Sequence, residues 1–136
     1  MQQIKRVPLW TNSINAIVPK FTYAGTHVVA DFWHGKTIAT EQELERLLRG
    51  AAKAANSKQL QVSIYKFEPQ GITGVILLAE SHIAVHTWPE IGYIAVDVFT
   101  CGGKARPKEA IEFFREYLQP ETCEIHEMKR GNTPKQ

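Results

Sequence analysis

Residues 59–101 read QLQVSIYKFEPQGITGVILLAESHIAVHTWPEIGYIAVDVFTC, and this stretch decides the fold. Gln59–Phe67 alternates, with Leu60, Val62 and Ile64 on one side and Tyr65 and Phe67 on the other, the period of a half-buried strand. Glu68-Pro69-Gln70-Gly71 supplies turn residues, after which Ile72–Ala79 is a short apolar run suited to a central strand. His82–Trp88, a turn over Pro89–Gly92, and Tyr93–Thr100 complete the series. Four strands joined by connections this short predict an antiparallel meander, because parallel neighbours need a long crossover.

Upstream, Thr26–Trp33 is rich in β-branched and aromatic residues and predicts a further strand. Thr40-Glu41-Gln42-Glu43 fits a capping box, in which the Thr hydroxyl and a Glu three residues later each satisfy a free backbone donor. The helix that starts there carries Leu44, Leu47, Leu48, Ala51, Ala52 and Ala55 on one face and runs to about Asn56. Beyond Cys101-Gly102-Gly103, Pro107 suits a first helical turn, and Ala110, Ile111, Phe113, Phe114, Tyr117 and Leu118 form a second apolar face. A last short strand is expected over about Thr122–Met128. The order β-α-β-β-β-β-α-β predicts an α/β (α+β) two-layer sandwich, a mainly antiparallel sheet with two helices on one face. Residues 25–136 are read as the single domain. Residues 1–24, interrupted by Pro8 and Pro19, are read as an N-terminal extension that packs on a neighbouring protomer.

A chain of 136 residues with 43% apolar content holds one modest core. Domains of this size leave much of their surface uncovered, so a second copy is expected to cover an exposed sheet edge or face, giving a homodimer. The 16 basic and 14 acidic residues are spread along the chain without the basic stripe of a nucleic-acid-binding protein. Lys129-Arg130 with Lys135 reads as a solvated tail. Cys101 and Cys123, 22 positions apart, match neither a disulfide framework nor a zinc pattern, which fits a reducing cytoplasm. No signal-like N-terminus and no apolar run of about 18 residues occurs, so neither export nor a membrane span is expected.

Glu80–Cys101 holds more reactive side chains than a sheet core needs. His82 and His86 are spaced i,i+4, as in helical zinc sites. On a strand, at ~3.3 Å per residue, that spacing separates them by ~13 Å, too far to share an ion. A nucleophilic hydrolase would need Ser81 or Cys101 served by a histidine and an acid such as Asp97 or Glu90. Against this, the chain has no G-x-S-x-G elbow.

The pattern Glu80-Ser81-His82-Ile83-Ala84-Val85-His86-Thr87-Trp88-Pro89-Glu90, followed by Asp97-Val98-Phe99-Thr100-Cys101-Gly102, resembles the short prokaryotic S-adenosylmethionine decarboxylases. The resemblance extends from about Gly25 to the second helix. It implies a precursor that cleaves itself between Glu80 and Ser81 into 1–80 and 81–136, the serine becoming a pyruvoyl group. No metal and no pyridoxal phosphate are then expected, because the ketone serves as the electron sink for decarboxylation. The resemblance also assigns roles residue by residue. His86 takes the position of the histidine that moves protons during processing, and Cys101 that of the proton donor in turnover. Thr73 stands where the family usually has a serine hydroxyl that assists processing or lines the pocket. Phe67 and Trp88 are candidate stacking residues for adenine, Glu90 is a candidate polar anchor, and Cys123 has no counterpart and is read as structural.

The implied substrate is S-adenosylmethionine, decarboxylated to an aminopropyl donor for polyamine synthesis. Decarboxylases of arginine or ornithine on the same scaffold are the alternative, and the N-terminal extension leaves room for altered specificity. A reading from another class is a ligand-binding or regulatory module that never cleaves, which a denaturing gel distinguishes.

Overall fold

A computed structural model describes residues 23–132 of the chain. Its strands are β1 (Gly25–Trp33), β2 (Gln59–Lys66), β3 (Ile72–Leu78), β4 (Ser81–Trp88), β5 (Tyr93–Cys101) and β6 (Thr122–Arg130). Its helices are α1 (Glu41–Ala54) and α2 (Pro107–Leu118), with a 3-10 turn at Pro89–Ile91. All neighbouring strands are antiparallel, in the order β2-β3-β4-β5-β1-β6. The meander β2 to β5 follows the sequence reading, except that Leu60 does not join Val62 and Ile64 on the core side: the register with β3 shifts between Gln59 and Gln61 and leaves Leu60 exposed. The seating of β1 between β5 and β6 rests on pairings between residues far apart in the chain, such as Val28 with Val98 and with Glu127.

Helix α1 begins where the capping residues stand. The Glu43 amide donates to the Thr40 hydroxyl at 3.0 Å, and the Glu43 carboxylate accepts from the Ala39 amide at 3.1 Å. The carboxylate therefore reaches one residue further back than in a standard capping box, with the same effect of satisfying a free donor. Such a cap stabilises the helix by about 1 kcal/mol. Leu44, Leu47, Leu48, Ala51 and Ala52 are buried beneath it, and α2 buries Ala110, Ile111, Phe114 and Leu118. Both helices lie on the sheet face that carries Val28, Ala30 and Phe32 of β1, Ile76 of β3, Ile83 and Val85 of β4, and Val96 and Val98 of β5, all buried. Gly74 lets α1 settle onto β3, since a Cβ there would stand 2.6 Å from Leu44 Cδ2.

Among the described residues no helix lies over the opposite sheet face. Its residues fall in rows across the strands: Leu77, His82, Phe99, His27 and Met128; then Val75, Ala84, Asp97, Val29 and His126; then Thr73, His86, Ala95, Asp31 and Glu124. A last row holds Trp88, Tyr93 and Trp33, stacked with centroids 5.1 and 4.6 Å apart. Two expectations need correction or restriction. Lys129 and Arg130 belong to β6 and are not a solvated tail: Lys129 pairs with Glu127 at 3.0 Å, and Arg130 meets His27. The proposed extension and Lys135 fall almost wholly or wholly outside the described residues.

Candidate active site

Ala79 and Glu80 form a two-residue turn between β3 and β4, with Leu78 paired to Ser81. Neither turn residue has a positive φ; among the described residues the non-glycine ones that do are His34, Asn56 and Gln119. The Glu80–Ser81 peptide is therefore set apart by its place at a hairpin tip and not by left-handed strain. The turn is tied to the start of β2, because the Ala79 amide donates to the Lys58 carbonyl at 2.9 Å and the Glu80 carboxylate accepts from the Lys58 amide at 3.2 Å.

Cys101, at the exposed end of β5, directs its thiol at the Glu80 carbonyl oxygen, Sγ to O 3.2 Å. The Ser81 hydroxyl stands 3.4 Å from His82 Nδ1. His82 Nε2 is 3.1 Å from Asp97 Oδ2, and the same oxygen takes His27 Nε2 at 2.9 Å. Phe99 packs against His27 with ring centroids 5.1 Å apart, and the Arg130 guanidinium lies over the Phe99 ring and 3.1 Å from His27 Nδ1. The end of the sheet at the Ala79-Glu80 turn, on and beside the open face, thus gathers a hydroxyl, an amide carbonyl, a thiol, two imidazoles and a carboxylate. Ligand-capable atoms of His27, His82 and Asp97 lie within 4.8 Å of one another, the only such metal-competent group among the described residues. In the arrangement seen, each imidazole hydrogen-bonds Asp97 through the nitrogen a metal would take, and Arg130 adds a positive charge beside it.

The other predicted residues sit at the far end of the same face. His86 Nδ1 is 3.1 Å from the Thr73 hydroxyl, on the neighbouring strand. Trp88 lies beside His86, centroids 6.2 Å apart, and is 40% exposed. Glu90 stands exposed in the 3-10 turn that follows, and Phe67, past the end of β2, is exposed and meets Tyr65 edge-on. Ser81 and His86 are five positions apart on one strand, so roughly 16 Å separates them. Within one chain, Glu80, Ser81 and Cys101 come together, whereas Thr73, His86, Trp88, Glu90 and Phe67 form a second group at a distance. Cys123 is partly buried against the core on the helix side.

His27 and Arg130 were given no functional role by sequence reasoning, and His82 and Asp97, though they stand in the family pattern, were given one only in readings that were set aside. Their signal is the isolated polar residue in an otherwise apolar strand, as in Thr26-His27-Val28 and Val96-Asp97-Val98. That signal becomes specific only when the strand register sets His27, His82 and Asp97 against one another.

Comparison with known proteins now adds an identity to this geometry. A family model described as S-adenosylmethionine decarboxylase matches residues 26–131, and the chain belongs to that family. A relative from Methanococcus maripaludis named S-adenosylmethionine decarboxylase proenzyme is 42% identical over 109 residues, covering 79% of this chain and 89% of the relative. One of the same name from Thermomicrobium roseum is 40% identical over 108 residues, covering 79% and 93%. The crystal structure of the adenosylmethionine decarboxylase from Aquifex aeolicus VF5 superposes with a TM-score of 0.78 at 36% identity, covering 85% of this chain and 98% of that one.

Proposed function

We propose that this protein is a self-processing decarboxylase of S-adenosylmethionine that cleaves itself between Glu80 and Ser81. The observation that carries the reading is the convergence of three groups on one peptide bond: the Ser81 hydroxyl, the Glu80 carbonyl in a hairpin turn, and the Cys101 thiol on that carbonyl's oxygen. Attack by a hydroxyl on the preceding carbonyl puts negative charge on the oxygen, and a donor already aimed there stabilises it. The residues present fit a ketone at position 81, which would supply an electron-accepting carbonyl for loss of carbon dioxide from a bound amine. Cys101 remains beside that position and is the acid available to return a proton.

The proposal includes a homodimer built on the open sheet face. His86 and Thr73 cannot reach their own Ser81 along ~16 Å of strand, yet the family pattern gives them a part in processing. Two sheets stacked face to face about a twofold axis lying across the strands bring the Ser81 end of one β4 over the His86 end of the other. Half-buried Val29, Val75, Ala84 and Ala95 and the stacked Trp33, Tyr93 and Trp88 suit such a contact. Phe67, Trp88 and Glu90 then line the partner's site, where flat rings suit an adenine and a carboxylate suits ribose hydroxyls.

The test is direct. Purified protein should run as fragments 1–80 and 81–136 on a denaturing gel, the second with a blocked N-terminus and the mass of a keto group in place of serine. It should release carbon dioxide from S-adenosylmethionine and not from arginine or ornithine. A single uncleaved band without activity would sink the proposal, and release from arginine or ornithine alone would overturn the substrate.

A further inference from the structure

We propose that His82, oriented by Asp97, is the base that takes the Ser81 hydroxyl proton in the first step of self-cleavage; the inference rests on the self-cleavage reading above. Among the described residues no other side chain of the same chain hydrogen-bonds the Ser81 hydroxyl, and the partner's His86, which the dimer proposed above brings over this end of β4, is left for the later proton transfer at the serine α-carbon.

The tautomers follow from the partners. A guanidinium only donates, so His27 Nδ1 accepts from Arg130 and His27 Nε2 carries the hydrogen that goes to Asp97. A carboxylate only accepts, so His82 Nε2 also donates to Asp97, which leaves the lone pair of His82 Nδ1 facing Ser81 Oγ. Nucleophile to base is 3.4 Å and base to orienting carboxylate is 3.1 Å. The order hydroxyl, imidazole, carboxylate is the one that activates serine nucleophiles generally. His27 and Arg130 hold the carboxylate from its other side and are positioning residues.

The step is an isomerisation and needs no other reactant. The Oγ–H proton passes to His82 Nδ1 as Oγ bonds to the Glu80 carbonyl carbon, and the carbonyl π pair moves onto the oxygen held by the Cys101 thiol. The carbonyl then re-forms, the bond from that carbon to the Ser81 nitrogen breaks, and His82 returns its proton to the nitrogen. An amide has become an ester with a free amine.

Esters, unlike amides, are cleaved by neutral hydroxylamine, so the fraction of chain that either self-cleaves or turns hydroxylamine-sensitive reads this first step alone. Precursor made by cell-free translation should be followed over time for the unaltered chain and for His82→Ala and His82→Gln, the latter keeping an N–H donor for Asp97. Both variants, with far-ultraviolet circular dichroism unchanged, should form ester or product at least roughly 100-fold more slowly, the lower range of general-base contributions. Formation in either folded variant within about threefold of the unaltered rate overturns the assignment. The unaltered precursor should process equally well in the presence of a chelator. Arrest by the chelator with recovery on adding zinc overturns the assignment too, making His82 a ligand. Failure of the unaltered chain to cleave would instead count against the function proposed above.

Discussion

The Cys101 thiol donates to the carbonyl oxygen of Glu80 across 3.2 Å, although 21 residues separate the two in sequence. The carbonyl belongs to the bond proposed to break, so in the proposed reaction one side chain would serve as donor in both processing and turnover.

The two duties separate by substitution. Cys101→Ser keeps an O–H for the Glu80 oxygen and should cleave within about tenfold of the normal rate, whereas its far weaker acidity should cut carbon dioxide release by about 100-fold or more. Cys101→Ala removes the donor and should slow cleavage itself by about 100-fold. Gel time courses and carbon dioxide assays check both, and normal lasting turnover by Cys101→Ser would remove the thiol from the reaction.

If His86 serves the other protomer, two inactive chains should rescue each other. Ser81→Ala precursor mixed with His86→Ala precursor under conditions that allow exchange should cleave the His86→Ala chain and leave the Ser81→Ala chain whole. Chains tagged to differ in size make the outcome visible on one gel. Absence of rescue despite mixed dimers would place His86 outside the partner's site.

Ala84 lies in the middle of the open face, between Val75 and Asp97 in its row. Ala84→Arg should convert the protein to a monomer on size exclusion and stop processing, since a charge buried in such a contact without a partner is strongly unfavourable. A dimer that survives the substitution would point to a different interface.

Gly74→Ala tests the packing between sheet and helix. Its methyl would stand 2.6 Å from Leu44 Cδ2, 3.1 Å from Leu48 Cδ1 and 3.2 Å from Ile64 Cγ1. Overfilling a closed core costs about 1–3 kcal/mol, so the denaturant midpoint should fall with the slope unchanged. An unchanged midpoint would mean that the helix can lift without loss.

Tyr93 supplies a pH dependence. Burial foremost, then its hydrogen bond to Asp31 and that carboxylate's negative charge, push the phenol up from 10.0 to about 12. The folded form holds this proton more tightly than the unfolded form, so the associated stability is complete below pH 10 and is lost as the pH rises toward 12. Ultraviolet titration of Tyr93→Phe should lack one late-ionising tyrosine, while Tyr117, whose phenol is also raised by its hydrogen bond to Glu43, continues to ionise late. That variant should also lose the corresponding part of the alkaline fall in stability.

The elements were legible wherever one short stretch carries the whole signal. Thr40 to Glu43 announced a helix start, Pro107 another, and the alternation from Val62 onward a strand, because caps and periodicity are local. The position of β1 was not legible, since pairing Gly25–Trp33 with both Tyr93–Cys101 and Thr122–Arg130 depends on contacts spanning most of the chain. The site followed the same rule. Glu80, Ser81, His86 and Cys101 stand in a recognisable run, whereas the meeting of His27, His82, Asp97 and Arg130 exists only in the assembled sheet. The distance between His86 and Ser81 was concealed for the opposite reason: residues close in a motif are far apart once the motif is a strand.

The order β2-β3-β4-β5-β1-β6 has a further bearing on a chain cut after Glu80. One piece would own β1, β2 and β3 with α1, and the other β4, β5 and β6 with α2. β1 is clasped between two strands of the other piece, and β3 borders a third, so three of the five strand seams would join separate molecules. Neither piece holds a sheet that could persist alone, and pulling them apart is the same event as unfolding. Before the cut, refolding is a first-order search by one chain; after it, two strangers must find each other in solution. Maturation would therefore work as a ratchet, in which the intact chain carries the instructions for assembly and the finished enzyme, once unravelled, has lost the tether that let it follow them.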